Sequence, residues 1–139
     1  MSDRFFVDTN VAVYLFDVDN PEKQRRARRV FDTEGPAGRL VVSTQVLQEF
    51  YVSVTRKLGR PLPDVEAEAA TRDLAALDVV EIDAPMVLRA ISLAREHTVS
   101  LWDALIIESA QARGCAKLLT EDMQDGRRFG DLVIENPLD

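Results

Sequence analysis

The chain has 139 residues, 46% of them hydrophobic and 29% charged, in short apolar runs broken by charge, which excludes an extended disordered chain and fits one domain over residues 1–139. Its net charge of −7 argues against broad, non-specific nucleic-acid binding, although part of that charge can belong to a carboxylate cluster awaiting cations. No stretch approaches the roughly 20 apolar residues of a membrane helix, and Met1 to Asn10 lacks a basic segment followed by a long apolar one, so a cytoplasmic protein without membrane attachment is expected.

Arg4-Phe5-Phe6-Val7 reads as a short buried strand, after which Asp8-Thr9-Asn10 opens a helical stretch from Val11 to Phe16. Asp19-Asn20 is a turn, with Pro21 near the first position of a second helix that runs through the basic segment Lys23 to Arg29 and ends by Gly35. Leu40-Val41-Val42 is the second strand. In the helix after it Leu47, Tyr51, Val54 and Leu58 recur at helical spacing, and Gly59 to Pro63 stops it. A helix from about Asp64 to Leu77 leads into a third strand, Val79 to Ile82. Met86 to Glu96 is helical, and Ser100 starts another helix that ends near Arg113 with Gly114 at its C-terminal cap. Ala116 to Leu119 is the fourth strand, Thr120 to Arg128 a polar loop, and Leu132-Val133-Ile134 an edge strand.

Strands alternating with helices imply parallel pairing through right-handed crossovers, hence a three-layer α/β/α sandwich. Ligands of such sheets bind beyond the carboxyl ends of the strands. Asp8 follows the first strand directly and Asp122 stands just past the fourth, so both are expected on one rim.

Catalysis, if present, falls to carboxylates. His97 is the only histidine and Cys115 the only cysteine, which leaves no structural zinc set and no internal disulfide, and no serine or cysteine stands in a nucleophile motif. Each acid alone has an ordinary explanation. Asp8 fits an N-cap, Ser100 and Asp103 fit a capping box, and Asp122 and Asp125 lie where turns favour aspartate. Glu49 points away from the apolar stripe of its helix, toward either solvent or a cleft.

The combination is more specific. Phe6-Val7-Asp8-Thr9-Asn10, Thr44-Gln45-Val46-Leu47-Gln48-Glu49-Phe50, Trp102-Asp103-Ala104-Leu105-Ile106 and Leu119-Thr120-Glu121-Asp122-Met123 resemble the signature blocks of the PIN-domain family. Their order and spacing are similar to those of the toxins of VapBC toxin–antitoxin modules, over nearly the whole chain. The resemblance implies a mostly parallel five-stranded sheet flanked by helices and a ribonuclease site in which Asp8, Glu49, Asp103 and Asp122 bind magnesium or manganese. It implies supporting hydrogen bonds from Thr9, Asn10 and Thr120, with Asp125 as an additional acid. It also implies a homodimer inhibited by a cognate antitoxin.

A nuclease must hold a polyanion. Arg127 and Arg128, near Asp122 in sequence, are the better-placed candidates for RNA contact, while Arg25 and Arg26 belong to a basic helix that equally reads as a solvated face. Two other functions compete. Phosphoryl transfer to Asp8, as in haloacid-dehalogenase-like folds, requires a second aspartate two residues on, where this chain has Asn10. A PIN-like module that binds RNA or protein without cutting would keep the fold and lack turnover.

Overall fold

The computed structural model describes residues 3–139. Its elements run β1 (Phe5–Val7), α1 (Thr9–Tyr14), α2 (Pro21–Glu34), β2 (Leu40–Ser43), α3 (Thr44–Arg56), α4 (Asp64–Ala75), β3 (Asp78–Val80), α5 (Ala84–His97), α6 (Leu101–Ala112), β4 (Lys117–Leu119), β5 (Arg128–Phe129) and β6 (Leu132–Glu135). The sheet order is β3-β2-β1-β4-β6-β5, and every pairing except β5 with β6 is parallel. This is the expected α/β architecture with helices flanking a mostly parallel sheet. Among the described residues, no helix is long and apolar enough to cross a membrane.

The central strands are short, continuous apolar runs because both of their faces are covered. Phe6, Val7, Val41, Val42 and Leu118 are completely or almost completely buried in the main core, along with Ile106 and Ile107 of α6. A second cluster joins Ala12 of α1, Phe50 and Val54 of α3, and Ala67, Ala70 and Leu74 of α4. Phe50 is fully buried and meets Phe16 edge to face at 5.8 Å, so this residue belongs to the core. Cys115 is likewise buried, and its burial pushes the thiol pKa up to about 11, as befits packing and not reactivity.

Three details differ from the sequence reading. The sheet has six strands instead of five, because Arg128–Phe129 folds back antiparallel on β6 around Gly130, whose φ is +60°. Leu132–Glu135 is therefore interior, between β4 and β5, and not the edge. The third strand covers Asp78–Val80 instead of Val79–Ile82. Its partner ends at Ser43, which pairs with Val80, and beyond that point the Ile82 N–H turns to the Thr44 hydroxyl at 3.3 Å.

The parallel register sets the rim. Val7 pairs with Leu119, and the next amide, Asp8 N, donates to Leu119 O at 3.0 Å, so Asp8 and Thr120 leave adjacent strands side by side. On the far side, Thr120 N donates to Glu135 O at 3.0 Å. The turn from α5 into α6 passes through Thr98, which caps α5 in the left-handed region (φ 54°, ψ 51°), a strained setting for a β-branched residue.

Candidate active site

Asp8 is the N-cap of α1, with Oδ1 accepting from Thr9 N at 2.7 Å, so the ordinary capping explanation holds. Its other oxygen enters a network that joins three segments. Asp8 Oδ2 accepts from the Thr120 hydroxyl at 2.9 Å and from Asn10 Nδ2 at 3.3 Å. Asn10 Nδ2 also lies 3.0 Å from Thr120 Oγ1 and 3.1 Å from Asp122 Oδ2, while Asn10 Oδ1 accepts from Glu121 N at 3.1 Å. Asp122 N donates to Thr120 Oγ1 at 3.2 Å. The Thr120 hydroxyl thus uses its donor and both lone pairs, which ties the loop after β4 to the start of α1.

Along α3, Gln45, Gln48, Glu49, Val52 and Ser53 line one pocket at helical spacing. Between a cleft and open solvent for Glu49, the geometry selects the cleft. Glu49 Oε1 accepts from the Thr9 hydroxyl at 2.8 Å, and Oε2 from Gln45 Nε2 at 3.4 Å. Asp103 comes from α6, where Asp103 N donates to the Ser100 hydroxyl at 3.0 Å as a capping box requires. Its carboxylate nevertheless lines the same pocket. That pocket, about 650 Å³, brings together Asp8, Glu49, Asp103 and Asp122 with Thr9 and Asn10, and Thr120 lies buried behind it.

Such a gathering has an electrostatic cost. Burial pushes the Asp8 pKa up to about 6; hydrogen bonds from Thr120 and Thr9 oppose the shift, and the charges of Glu49 and Asp103 add to it. Asp103 is raised as well, first by burial, then by the charges of Asp122 and Glu49 against a hydrogen bond from Ser100. Lys57 is the cation among the lining residues. The donors are carboxylate, hydroxyl and amide oxygens without histidine or cysteine, a set that suits a hard divalent cation. Among the described residues, no three His, Cys, Asp or Glu side chains are gathered closely enough to hold an ion as they stand, so an ion would draw these acids inward.

The remaining candidates lie elsewhere. Asp125 Oδ1 accepts from Asn136 N at 2.8 Å, which secures the last loop against the C-terminal segment outside the pocket. Arg127 donates to His97 O at 3.0 Å and stacks over Phe129 at 4.7 Å, beside a smaller hollow that Asp103 and Ser100 share. Arg128 lines a separate hollow with Arg89 and Glu108. Arg25 and Arg26 pair with Glu22 within α2, away from the acids. Sequence reasoning overlooked three features. Gln45 braces Glu49 and also donates to Trp102 O at 3.3 Å; its position four residues before Glu49 was a usable signal. Tyr14 donates to Glu121 Oε1 at 2.6 Å and Lys23 to Glu121 Oε2 at 2.8 Å, a long-range link without sequence signal. Trp102 lies at the pocket in an exposed position.

Solved structures repeat this architecture. The chain superposes on a toxin–antitoxin complex from Klebsiella pneumoniae with a TM-score of 0.70 at 23% identity, covering 97% of this chain and 98% of the other. It superposes on VapC20 of Mycobacterium tuberculosis, described as a sarcin–ricin-loop-cleaving toxin, with a TM-score of 0.65 at 19% identity over 82% and 86% of the two chains. DNA-bound VapBC from Salmonella typhimurium gives a TM-score of 0.63 at 20% identity over 97% and 98%. At these identities the likeness establishes the fold. No curated protein sequence matches the chain. The PIN domain family matches residues 5–128, which include Asp8, Glu49, Asp103 and Asp122, and the chain belongs to that family.

Proposed function

We propose that the chain is a metal-dependent endoribonuclease that hydrolyses RNA phosphodiester bonds, and that it is the toxin of a toxin–antitoxin pair. The observation that carries this reading is the convergence of four acids from β1–α1, α3, α6 and the loop after β4 on one pocket at the carboxyl rim of the sheet. Asp8, Glu49, Asp103 and Asp122 would hold the ion, magnesium or manganese. When bound, the ion supplies a water of lowered pKa and a counter-charge for the phosphate. Thr9 orients Asp8 and Glu49 together, through its backbone N–H and its hydroxyl respectively. Asn10 and Thr120 tie Asp8 and Asp122 to a common edge of the pocket. The antitoxin partner belongs to the same proposal, supported by neighbours of the same fold that are toxin–antitoxin complexes, and so does the homodimer, which rests on the family resemblance alone.

Incubation of antitoxin-free protein with total cellular RNA tests the reading, with magnesium or manganese, with chelator, and with Asp8→Asn and Asp103→Asn beside wild type. Discrete fragments that require metal and both aspartates are expected. Saturable RNA binding without cleavage in any of these conditions would instead identify a non-catalytic RNA-binding module.

A further inference from the structure

We infer that Tyr14 and Lys23 are positioning residues that select between two successive acids: by occupying Glu121 they keep it off the cation and leave Asp122 as the carboxylate that the loop after β4 offers to the site. The inference rests on the metal-site reading above. Glu121 and Asp122 both line the pocket, and either is a suitable oxygen donor for a hard divalent ion. Residue type alone does not rank them; their partners do. Glu121 Oε1 accepts from the Tyr14 hydroxyl at 2.6 Å and Oε2 from Lys23 Nζ at 2.8 Å, so each oxygen has a donor and the charge has a counter-ion. Asp122 Oδ2 meets the neutral amide of Asn10 at 3.1 Å. Among the described residues, Glu121 is the one acid of the pocket lining that holds an ion pair. A cation therefore gains least from Glu121, whose charge is already balanced, and more from the acids that have no counter-ion.

The backbone makes the choice specific. Asn10 and Tyr14 are four residues apart in α1 and so project from one face of it. Asn10 takes the Glu121 N–H on Oδ1 and the Asp122 carboxylate on Nδ2, and one turn later Tyr14 takes the Glu121 side chain. Lys23 reaches the same carboxylate from α2, with Nζ 5.1 Å from the centre of the Tyr14 ring. The Glu121 side chain is only 18% exposed in this setting. Removal of Lys23 would leave a half-buried carboxylate at the pocket without its counter-ion, and a bound cation is what would restore one. Glu121 would then compete with Asp122 for the ion and draw it away from the position that the other acids share.

Manganese binding, measured by isothermal titration calorimetry in the absence of RNA, tests this in a double-mutant cycle of Asp122→Asn and Lys23→Met. Asp122→Asn in the wild-type background is expected to weaken binding roughly tenfold or more. In the Lys23→Met background the same substitution should cost less than about threefold, because Glu121 takes over, and a further Glu121→Gln should bring the full loss back. Lys23→Met alone should bind manganese at least as tightly as wild type. In RNA cleavage Lys23→Met is expected to lower kcat roughly tenfold with KM kept, and Glu121→Gln in that background to recover most of the loss. Far-ultraviolet circular dichroism checks folding; if Lys23→Met does not fold, the same cycle with Tyr14→Phe decides, since this variant removes one hydrogen bond to Glu121 and keeps the ring.

An equal loss from Asp122→Asn in both backgrounds overturns the inference, as does weaker manganese binding by Lys23→Met than by wild type. A raised KM with unchanged kcat and a flatter salt dependence would also overturn it, by making Lys23 an RNA contact. Additive losses with intact wild-type binding reject the selection alone, whereas absence of manganese binding by folded wild type would reject the metal-site reading and the inference with it.

Discussion

Replacing Asp8 by Asn should make the metal-free protein more stable at neutral pH while removing activity. Asp8 is only 7% exposed, and its pKa rises from an ordinary 3.8 to about 6 in the folded chain, with burial as the main cause. Between these two values the folded state holds more protons than the unfolded state, so stability falls as pH rises through this window. Above pH 6 the penalty is fully present and amounts to about 3 kcal/mol; below 3.8 it is absent. Asparagine removes the charge at every pH. It also introduces a cost that does not depend on pH, because Asp8 Oδ1 accepts from Thr9 N and Oδ2 from Thr120 and Asn10, and an amide NH2 can replace neither oxygen without losing an acceptor. That loss is about 1–2 kcal/mol. The expected balance is a gain of about 1–2 kcal/mol at pH 7.5 and a loss of about 1–2 kcal/mol near pH 4. Urea unfolding in chelator across this range measures the difference and keeps the chain soluble near its pI of about 4.7. A difference between variant and wild type that stays constant from pH 4 to 7.5 would refute the reasoning, since it would mean that Asp8 titrates alike in both states.

Millimolar magnesium or manganese should raise the wild-type melting temperature at pH 7.5, by about 2.7 kcal/mol of added stability at one hundred times Kd, and should leave Asp8→Asn nearly unmoved. Differential scanning calorimetry with and without chelator reads this, and an equal shift in both proteins would count against the acids as the binding site. Thr98→Gly should stabilise the fold by about 0.5–1 kcal/mol, because relief of the left-handed strain of about 1–2 kcal/mol exceeds the added backbone entropy of glycine in the unfolded chain. A lower midpoint in urea for this variant would show that the threonine side chain contributes more than its backbone strain costs.

The fold was legible because its local signals agree. Apolar runs such as Phe5 to Val7 and Leu40 to Val42, separated by helical periods and by breakers at Gly35 and at Gly59 to Pro63, admit a parallel sheet and little else. The misses lie where pairing partners determine an element. A two-residue strand such as Arg128–Phe129 has too few residues to show alternation, and the limits of β3 depend on where β2 bends into α3 at Thr44. For the basic residues, charge type and nearness in sequence point to Arg127 for phosphate, and the folded chain adds contacts of its guanidinium with His97 O and the Phe129 ring, neither of which has a local signal.

For the acids, sequence determined residue type, order and the expectation of a rim, since a strand that ends at Asp8 beside a strand that ends before Thr120 follows from parallel pairing alone. It could not choose between capping and pocket for Asp8 and Asp103, and the folded chain shows why: the Asp8 carboxylate caps α1 and lines the pocket, while Asp103 gives its backbone N–H to the Ser100 cap and its side chain to the pocket. A backbone N–H at a helix start needs only one acceptor, and the rest of the carboxylate remains available to the cleft. Which face of α3 meets that cleft, the bracing of Glu49 by Thr9 and Gln45, and the exposure of Trp102 were decided by tertiary structure, because each depends on segments far apart in the chain that only packing brings together.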